Sequence, residues 1–156
     1  MEKIVIIGGG AAGMAAGIFL GEQGHKVHIF EKNEKLGKKL FITGKGRCNL
    51  TNSCDEEAFF QSVVTNAKFL YSSFYGFTNQ NVISFFEDLG LKLKEERGGR
   101  IFPVSDHSSD VIGALEKKLH QLDVKIHLKS QVQEIWTDED GEGEKKVRGV
   151  LLENGE

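Results

Sequence analysis

Cysteine is scarce in this chain, with two among 156 residues, so no disulfide framework can hold it together and the usage fits a reducing compartment. Proline is scarcer still: a single proline beside nineteen glycines describes a turn-rich α/β chain without a proline-rich linker. Neither charge dominates. A formal net charge of −3 supplies no electrostatic footprint for a nucleic acid or an anionic membrane, and neither is expected as a partner. The one long apolar stretch, residues 4–20, imitates the core of a signal peptide. It carries five glycines (8, 9, 10, 13 and 17) and only Lys3 as a basic flank, and at that length it is marginal for a membrane span. The expectation is a cytoplasmic protein. Five histidines (25, 28, 107, 120 and 127) form no metal signature, so no metal site is expected. No internal repeat or low-complexity segment is present, and the length suits one domain with a real core.

What is present starts at residue 4. An apolar run of strand length (4–7) leads into Gly8, Gly10 and Gly13, spaced G-x-G-x-x-G, with Ala16 and Gly17 extending a face of small residues. A helical stretch runs to Leu20, Gly24 closes it, residues 27–30 read as a second strand, and Glu31 stands at its end. Strand, glycine turn, helix, strand and acid in this register form the dinucleotide-binding fingerprint. Gly8 permits the tight turn, and Gly10 lets the backbone approach a pyrophosphate at the N-terminus of the helix. Gly13 and the small residues after it let the helix lie close to the sheet. Glu31 is placed to accept from a ribose 2′-hydroxyl and would repel a 2′-phosphate, which selects FAD or NAD over NADP at this site.

The next segment, residues 32–52, is a cationic loop with Gly37, Gly44 and Gly46 among Lys38, Lys39, Lys45 and Arg47. Amides and cations together suit a diphosphate or an electron-rich ring, and a solvated basic loop reads equally well from composition alone. The segment is not a Walker A loop, because Gly44-Lys45 is followed by Gly46 and position 39 is lysine. Residues 55–90 hold nine aromatic side chains at helical spacings, read as a helical insertion and its core, with Tyr71 or Tyr75 as candidates for lining a cavity. Gly98-Gly99 marks a hairpin between 91–94 and 100–104, with Arg100 as a candidate for an anionic group. Asp106, Ser105 and Ser108 are expected to cap a helix over 108–122. A third strand is expected at 124–128, then a hairpin of 132–136 with 147–152 around an acidic loop.

The runs GGGAAGMAA, GKKLFITGKGRCNLTN and GGRIFPVSDHSSDV, together with Glu31, resemble the bacterial flavoproteins of the BaiN/YhiN-like family, which are described as NAD(P)/FAD-dependent or aminoacetone-oxidase-like oxidoreductases. The likeness runs from Lys3 to Leu152. It implies an α/β, Rossmann-like FAD-binding domain of the glutathione-reductase type, with a parallel sheet, the helical insertion and the start of an antiparallel β-meander. It further implies that residues 1–156 are the N-terminal part of that domain, truncated before the remainder of its own polypeptide. Under the resemblance Gly8, Gly10, Ala11, Ala12 and Gly13 hold the FAD pyrophosphate and Glu31 the adenosine ribose. Lys32 and Lys39 lie along the AMP side, and Gly44, Gly46, Arg47, Cys48 and Asn49 run toward the flavin. Val132 offers its backbone to the adenine edge.

Related flavin disulfide reductases carry a C-x₄-C pair where this chain has Cys48 and Cys54, one residue further apart. Two ordinary thiols are therefore expected, Cys48 near the cofactor. The function implied is hydride transfer through FAD between NAD(P)H or an organic donor and an unsaturated small-molecule substrate or oxygen. A non-catalytic dinucleotide-binding module or inactive fragment, and an NAD-dependent dehydrogenase domain, are the alternatives. No general acid or base stands out.

Overall fold

The computed structural model describes residues 3–139 and 145–156, so most of the acidic hairpin loop lies outside the described residues. In chain order the elements are β1 (Lys3–Ile7), α1 (Ala11–Glu22), β2 (Lys26–Phe30), α2 (Lys38–Ile42), a 3₁₀ turn (Thr43–Gly46) and β3 (Thr51–Asn52). Then come α3 (Glu56–Gln61), a second 3₁₀ turn (Ala67–Leu70), α4 (Tyr71–Gly76), α5 (Asn79–Asp88), β4 (Leu93–Glu96) and β5 (Arg100–Pro103). The last four are α6 (Ser108–Gln121), β6 (Lys125–His127), β7 (Val132–Glu139) and β8 (Lys145–Leu152). These form two compact units, one of residues up to Lys39 with Leu115–Glu156, the other of Leu40–Ala114.

The first unit is built on a parallel sheet of order β1-β2-β6, in which Ile4 pairs with Val27 and Ile29 with Ile126. Parallel pairing requires a crossover, and α1 supplies it between β1 and β2. This helix is apolar on every side, as a helix covered on more than one side must be. Its small residues decide how closely it is covered. A Cβ on Gly17 would stand 2.9 Å from both Ile29 Cδ1 and Leu119 Cδ2, so a side chain from the sheet and one from α6 meet across the bare backbone. Met14, Ile18, Ile29 and Leu119 are fully buried there. Within α6 the buried positions Val111, Ile112, Leu115 and Leu119 follow helical spacing and mark its inward face.

On the sheet's other face His28 Nδ1 and His127 Nε2 lie 3.0 Å apart, so one ring donates and the other accepts. Burial, then the charges of His127, Lys3 and Lys125, hold His28 below its ordinary value. β7 and β8 pair antiparallel from Val132 with Leu152 to Glu139 with Lys145, which is the expected hairpin with longer arms.

The second unit carries an antiparallel sheet of order β3-β5-β4. Its outer strand β3 corrects the reading of residues 51–52 as loop: Thr51 pairs with Ile101 and Asn52 with Arg100. Two residues are too short a run to show period-2 alternation, so only the partner strand reveals them. Asn79, buried at the start of α5, donates from Nδ2 to the carbonyls of Asn52 and Cys54, both at 2.7 Å, and so ties the end of β3 to the helix. The aromatic insertion packs on itself, with Phe74 against Phe59 at 4.3 Å and Phe60 at 4.9 Å between ring centres. A cavity of about 240 Å³ in this unit is lined by Phe59, Phe74 and Phe77 among others, but by neither Tyr71 nor Tyr75. Those tyrosines are exposed, and Tyr75 pairs with Glu56 instead.

The three-way contact at Gly17 generates a measurable coupling. Gly17→Val should destabilise by about 1–3 kcal/mol through overpacking, and Leu119→Ala by about 3 kcal/mol through the cavity it leaves. The double variant should lose less than the two together, because the alanine vacates the space that the valine needs. Urea unfolding of the four proteins measures the coupling; strict additivity would refute the shared contact.

Candidate functional site

The glycine turn between β1 and α1 is fixed from three sides. Gly8, at φ +100°, donates its N–H to the Phe30 carbonyl at 2.8 Å, which fastens the end of β1 to the end of β2. The Gly9 carbonyl accepts from the Gly37 amide at 2.8 Å. Gly13 then passes so close beneath the turn that a Cβ there would stand 1.9 Å from the Gly8 carbonyl oxygen. No side chain fits between two backbone segments at that distance, so glycine is required.

Gly10 caps α1 with extended backbone, no side chain caps the helix, and no acid occupies its first turn. The first-turn amides of Ala11, Ala12 and Gly13 thus have no intrahelical acceptor, and the helix dipole adds positive potential at the same end. Around the positions where Gly8 and Gly10 would carry a Cβ nothing lies within 4 Å. An open space bordered by uncapped amides fits the pyrophosphate of a dinucleotide.

Glu31 sits where the fingerprint puts its acid, and it is buried. Its Oε2 accepts from the Gly9 amide at 2.7 Å, while Oε1 accepts from the Asn33 amide at 2.8 Å and from Asn33 Nδ2 at 2.6 Å. Burial works against ionisation and is the largest single influence. The Asn33 and Gly9 amides, the Asn33 side chain and the charge of Lys32 together outweigh it, and the carboxyl is held below the usual carboxylate range. A carboxylate offers about four acceptor positions, so with three filled one remains on Oε2 for a ribose hydroxyl. Glu31 is thus a clamp on the glycine turn with an acceptor position left over. Asn33, which the sequence reading passed over, carries half of that clamp. Its only signal was an amide two residues past the acid, and Lys38 Nζ supports its Oδ1 at 3.1 Å.

Of the remaining expected ligands in this unit, Lys32 and Lys39 are exposed. Val132 opens β7 two residues past Ser130, whose amide donates to the Glu31 carbonyl at 2.9 Å. The segment leading to Val132 therefore runs past the end of β2, beside the acid.

In the second unit the GKGRCN loop is a run of left-handed backbone: Gly44 at φ +56°, Lys45 at +58°, Gly46 at +85° and Cys48 at +60°. Gly44 is needed for space as well as conformation, since a Cβ would lie 2.8 Å from the Asn49 amide. Left-handed lysine and cysteine are costly, and persist where surrounding contacts hold them. Arg47 is that hold. Its Nη1 donates to Glu96 Oε1 at 2.8 Å and Asp106 Oδ1 at 3.2 Å, and its guanidinium lies 4.1 Å from the centre of the Phe102 ring. Lys94 closes a ring of four charges, at 2.5 Å from Asp106 and 3.6 Å from Glu96. Asp106 is held below the usual carboxylate range chiefly by Lys94, and Glu96 chiefly by Arg47.

This arrangement corrects the reading of Asp106 as a helix cap: at φ +58° its carboxylate faces Arg47 and Lys94, and Ser108 donates its hydroxyl to the Phe41 carbonyl at 2.9 Å. Cys48 is buried, and burial pushes its thiol up, partly offset by a hydrogen bond with Thr43. Cys48 and Cys54 are both free thiols. Asn49 is exposed, with its amide nitrogen donating to the carbonyls of Thr51 at 3.0 Å and Ile101 at 3.2 Å. Among the described residues no cluster of His, Cys, Asp or Glu could hold a metal, and no helix is long and apolar enough to cross a membrane.

The parallel sheet, the glycine turn and the acid closing β2 define a Rossmann-like FAD-binding fold of the flavin oxidoreductase class. The chain belongs to the HI0933-like protein Rossmann domain family, whose model matches residues 2–152, and the BaiN/YhiN-like resemblance stands with it. It is 37% identical over 129 residues to the 3-dehydro-bile acid delta(4,6)-reductase of Clostridium scindens, covering 81% of this chain and 31% of that protein. It is 31% identical over 150 residues to the ribosomal RNA dihydrouridine synthase of Haemophilus influenzae, covering 96% and 36%. The chain thus spans about a third of the length of these curated relatives. Among solved structures, the 3-ketosteroid-delta4-(5alpha)-dehydrogenase of Rhodococcus jostii superposes with a TM-score of 0.71 at 16% identity, over 96% of this chain and 41% of that one. That likeness is one of fold.

Two substitutions probe the turn and the acid separately. Gly13→Ala should abolish dinucleotide binding, because its Cβ must displace the Gly8 carbonyl; equilibrium dialysis with FAD reads this, and unchanged affinity would refute it. Glu31→Gln should cost about 2 kcal/mol at neutral pH by replacing a charged acceptor with an amide. Because the folded carboxyl titrates below its unfolded value, its stabilisation is complete above the unfolded range and is lost as pH falls through the folded one. The gap between wild type and variant should therefore narrow below about pH 4. Urea titrations at pH 7 and pH 3.5 would show it.

Proposed function

We propose that this chain is the cofactor-holding part of an FAD-dependent oxidoreductase that reduces a carbon–carbon double bond conjugated to a carbonyl in a small molecule. The observation that carries the reading is the Glu31 clamp on an uncapped glycine turn. It leaves amides for a pyrophosphate and one carboxylate position for a ribose hydroxyl. The names of the two relatives support the substrate class. The 3-dehydro-bile acid of the one name and the ribosomal RNA uridine of the other both present a double bond in conjugation with a carbonyl. Electrons come from NAD(P)H or an organic donor, and the protein works in the cytoplasm. The net charge of −3 on these 156 residues supports a small molecule over a nucleic acid.

Bound FAD supplies the hydride chemistry, and the residues of this chain supply binding and orientation. The α1 amides neutralise the pyrophosphate. Glu31 holds the adenosine ribose and rejects a 2′-phosphate. Lys32 and Lys39 line the AMP side, and Val132 meets the adenine edge through its backbone. The Gly44, Gly46, Arg47, Cys48 and Asn49 loop faces the flavin side, where Arg47, fixed by its two carboxylates, sets the shape of the loop. Cys48 stays a thiol at neutral pH and takes no part in electron transfer.

The whole protein, once purified, should show the two absorption bands of an oxidised flavin and release FAD on denaturation. Anaerobic NADH or NADPH should bleach it, and a conjugated enone should restore the colour. A colourless whole protein that binds NAD tightly would refute the reading in favour of a dehydrogenase.

A further inference from the structure

The Leu40–Ala114 unit has a basic cleft of its own. A cleft of about 370 Å³ opens there between the left-handed turn at Gly44 and β5, lined by Gly44, Lys45, Arg47, Asn49, Arg100 and Phe102. Three of its six lining residues are cations and none is an acid. The charge ledger around it is uneven. Arg47 and Lys94 are matched one for one by Glu96 and Asp106, whereas Lys45 and Arg100 have no ion pair among the described residues.

The reason for the imbalance at Arg100 is visible in the sheet register. Glu96 lies directly opposite Arg100 across the β4–β5 pair and is its natural counter-ion. Glu96 instead gives its carboxylate to Arg47 at 2.8 Å. Arg100 is left with Nε donating to the Arg97 carbonyl at 3.1 Å, which fixes the side chain while its terminal nitrogens carry no counter-ion. A guanidinium steadied at Nε presents a fork that matches the two oxygens of a carboxylate. Phe102 lies buried behind the cleft, its ring centre 4.1 Å from the Arg47 guanidinium and 5.9 Å from that of Arg100.

We propose that this cleft binds the carboxylate group of a small molecule, with Arg100 as the bidentate anchor and Lys45 as the second cation. The site lies on the loop that the FAD reading assigns to the flavin side. It rests on that reading for its role, which is to hold the substrate of the same reaction by its acid group, away from the double bond. Arg100 is then a specificity-determining residue and takes no part in the chemical step.

Benzoate is the probe, titrated calorimetrically into the whole protein so that the readout needs no turnover, with inorganic phosphate as the competing anion. Saturable benzoate binding is expected, weakened about tenfold or more by Arg100→Gln and less by Lys45→Gln. Arg97→Gln, at the same turn but outside the cleft, should bind benzoate as wild type does, and FAD content should be the same in all four proteins. Absence of saturable benzoate binding, equal affinity in Arg100→Gln, or tighter binding of phosphate than of benzoate would each overturn the proposal. So would an Arg100→Gln protein that loses FAD while keeping its benzoate affinity, because the cleft would then belong to the cofactor. If the whole protein lacks flavin and still binds benzoate through Arg100, the FAD reading fails and the carboxylate site stands.

Discussion

The bond on which the first unit depends is the one from the Gly9 amide to the Glu31 carboxylate, 2.7 Å long and spanning 22 residues of sequence. It joins the turn after β1 to the end of β2, at the carboxyl edge of the parallel sheet where open α/β folds bind their ligands. A hydrogen bond to a buried charge is worth more than one between neutral groups, and leaving that charge unpartnered would cost more again. The turn therefore cannot relax without exposing the acid to its own desolvation penalty. That rigidity keeps the α1 amides aimed at one point before any ligand arrives, so binding does not have to order the loop.

Much of this was legible from spacing alone. The glycines at 8, 10 and 13 and the acid at 31 each imposed a local requirement, and the requirements agreed in register. The Gly13 Cβ clash with the Gly8 carbonyl is the physical content of the third glycine in the motif. The third strand β6 and the extent of α6 followed from periodicity in the same way, while the arms of the β7–β8 hairpin run longer than the alternation indicated. Asn33 was not legible, because an amide two residues after an acid has many uses and only the folded chain shows both of its nitrogens on one carboxylate oxygen.

The second unit was legible in outline and opaque in its charges. Residues 91–104 read as a hairpin because Gly98-Gly99 marks its turn, yet nothing in the sequence says which acid meets which base. Arg47 reaches Glu96 and Asp106 across 49 and 59 residues. Asp106 looked like a helix cap because it precedes a helix and is flanked by serines. The fold overrides that local preference by offering two cations in place of the backbone amides. Charge pairing over such separations has no sequence periodicity, so composition reported four basic residues near the loop without dividing them by task.

That division is what gives the loop its chemistry. A cation locked between two carboxylates contributes geometry and little field, since the local charges cancel. Arg47 is of this kind. It anchors the chain between the left-handed Lys45 and Cys48, and by taking Glu96 it strips Arg100 of its cross-strand partner. The positive potential of the cleft thus arises from an arginine that does not itself supply it. Removing Arg47 would free Glu96 to cross the strand pair and neutralise Arg100, so loop shape and cleft charge are set by one side chain. A loop that reads as simply basic is divided by its salt bridges into a structural half and a half with charge to spare.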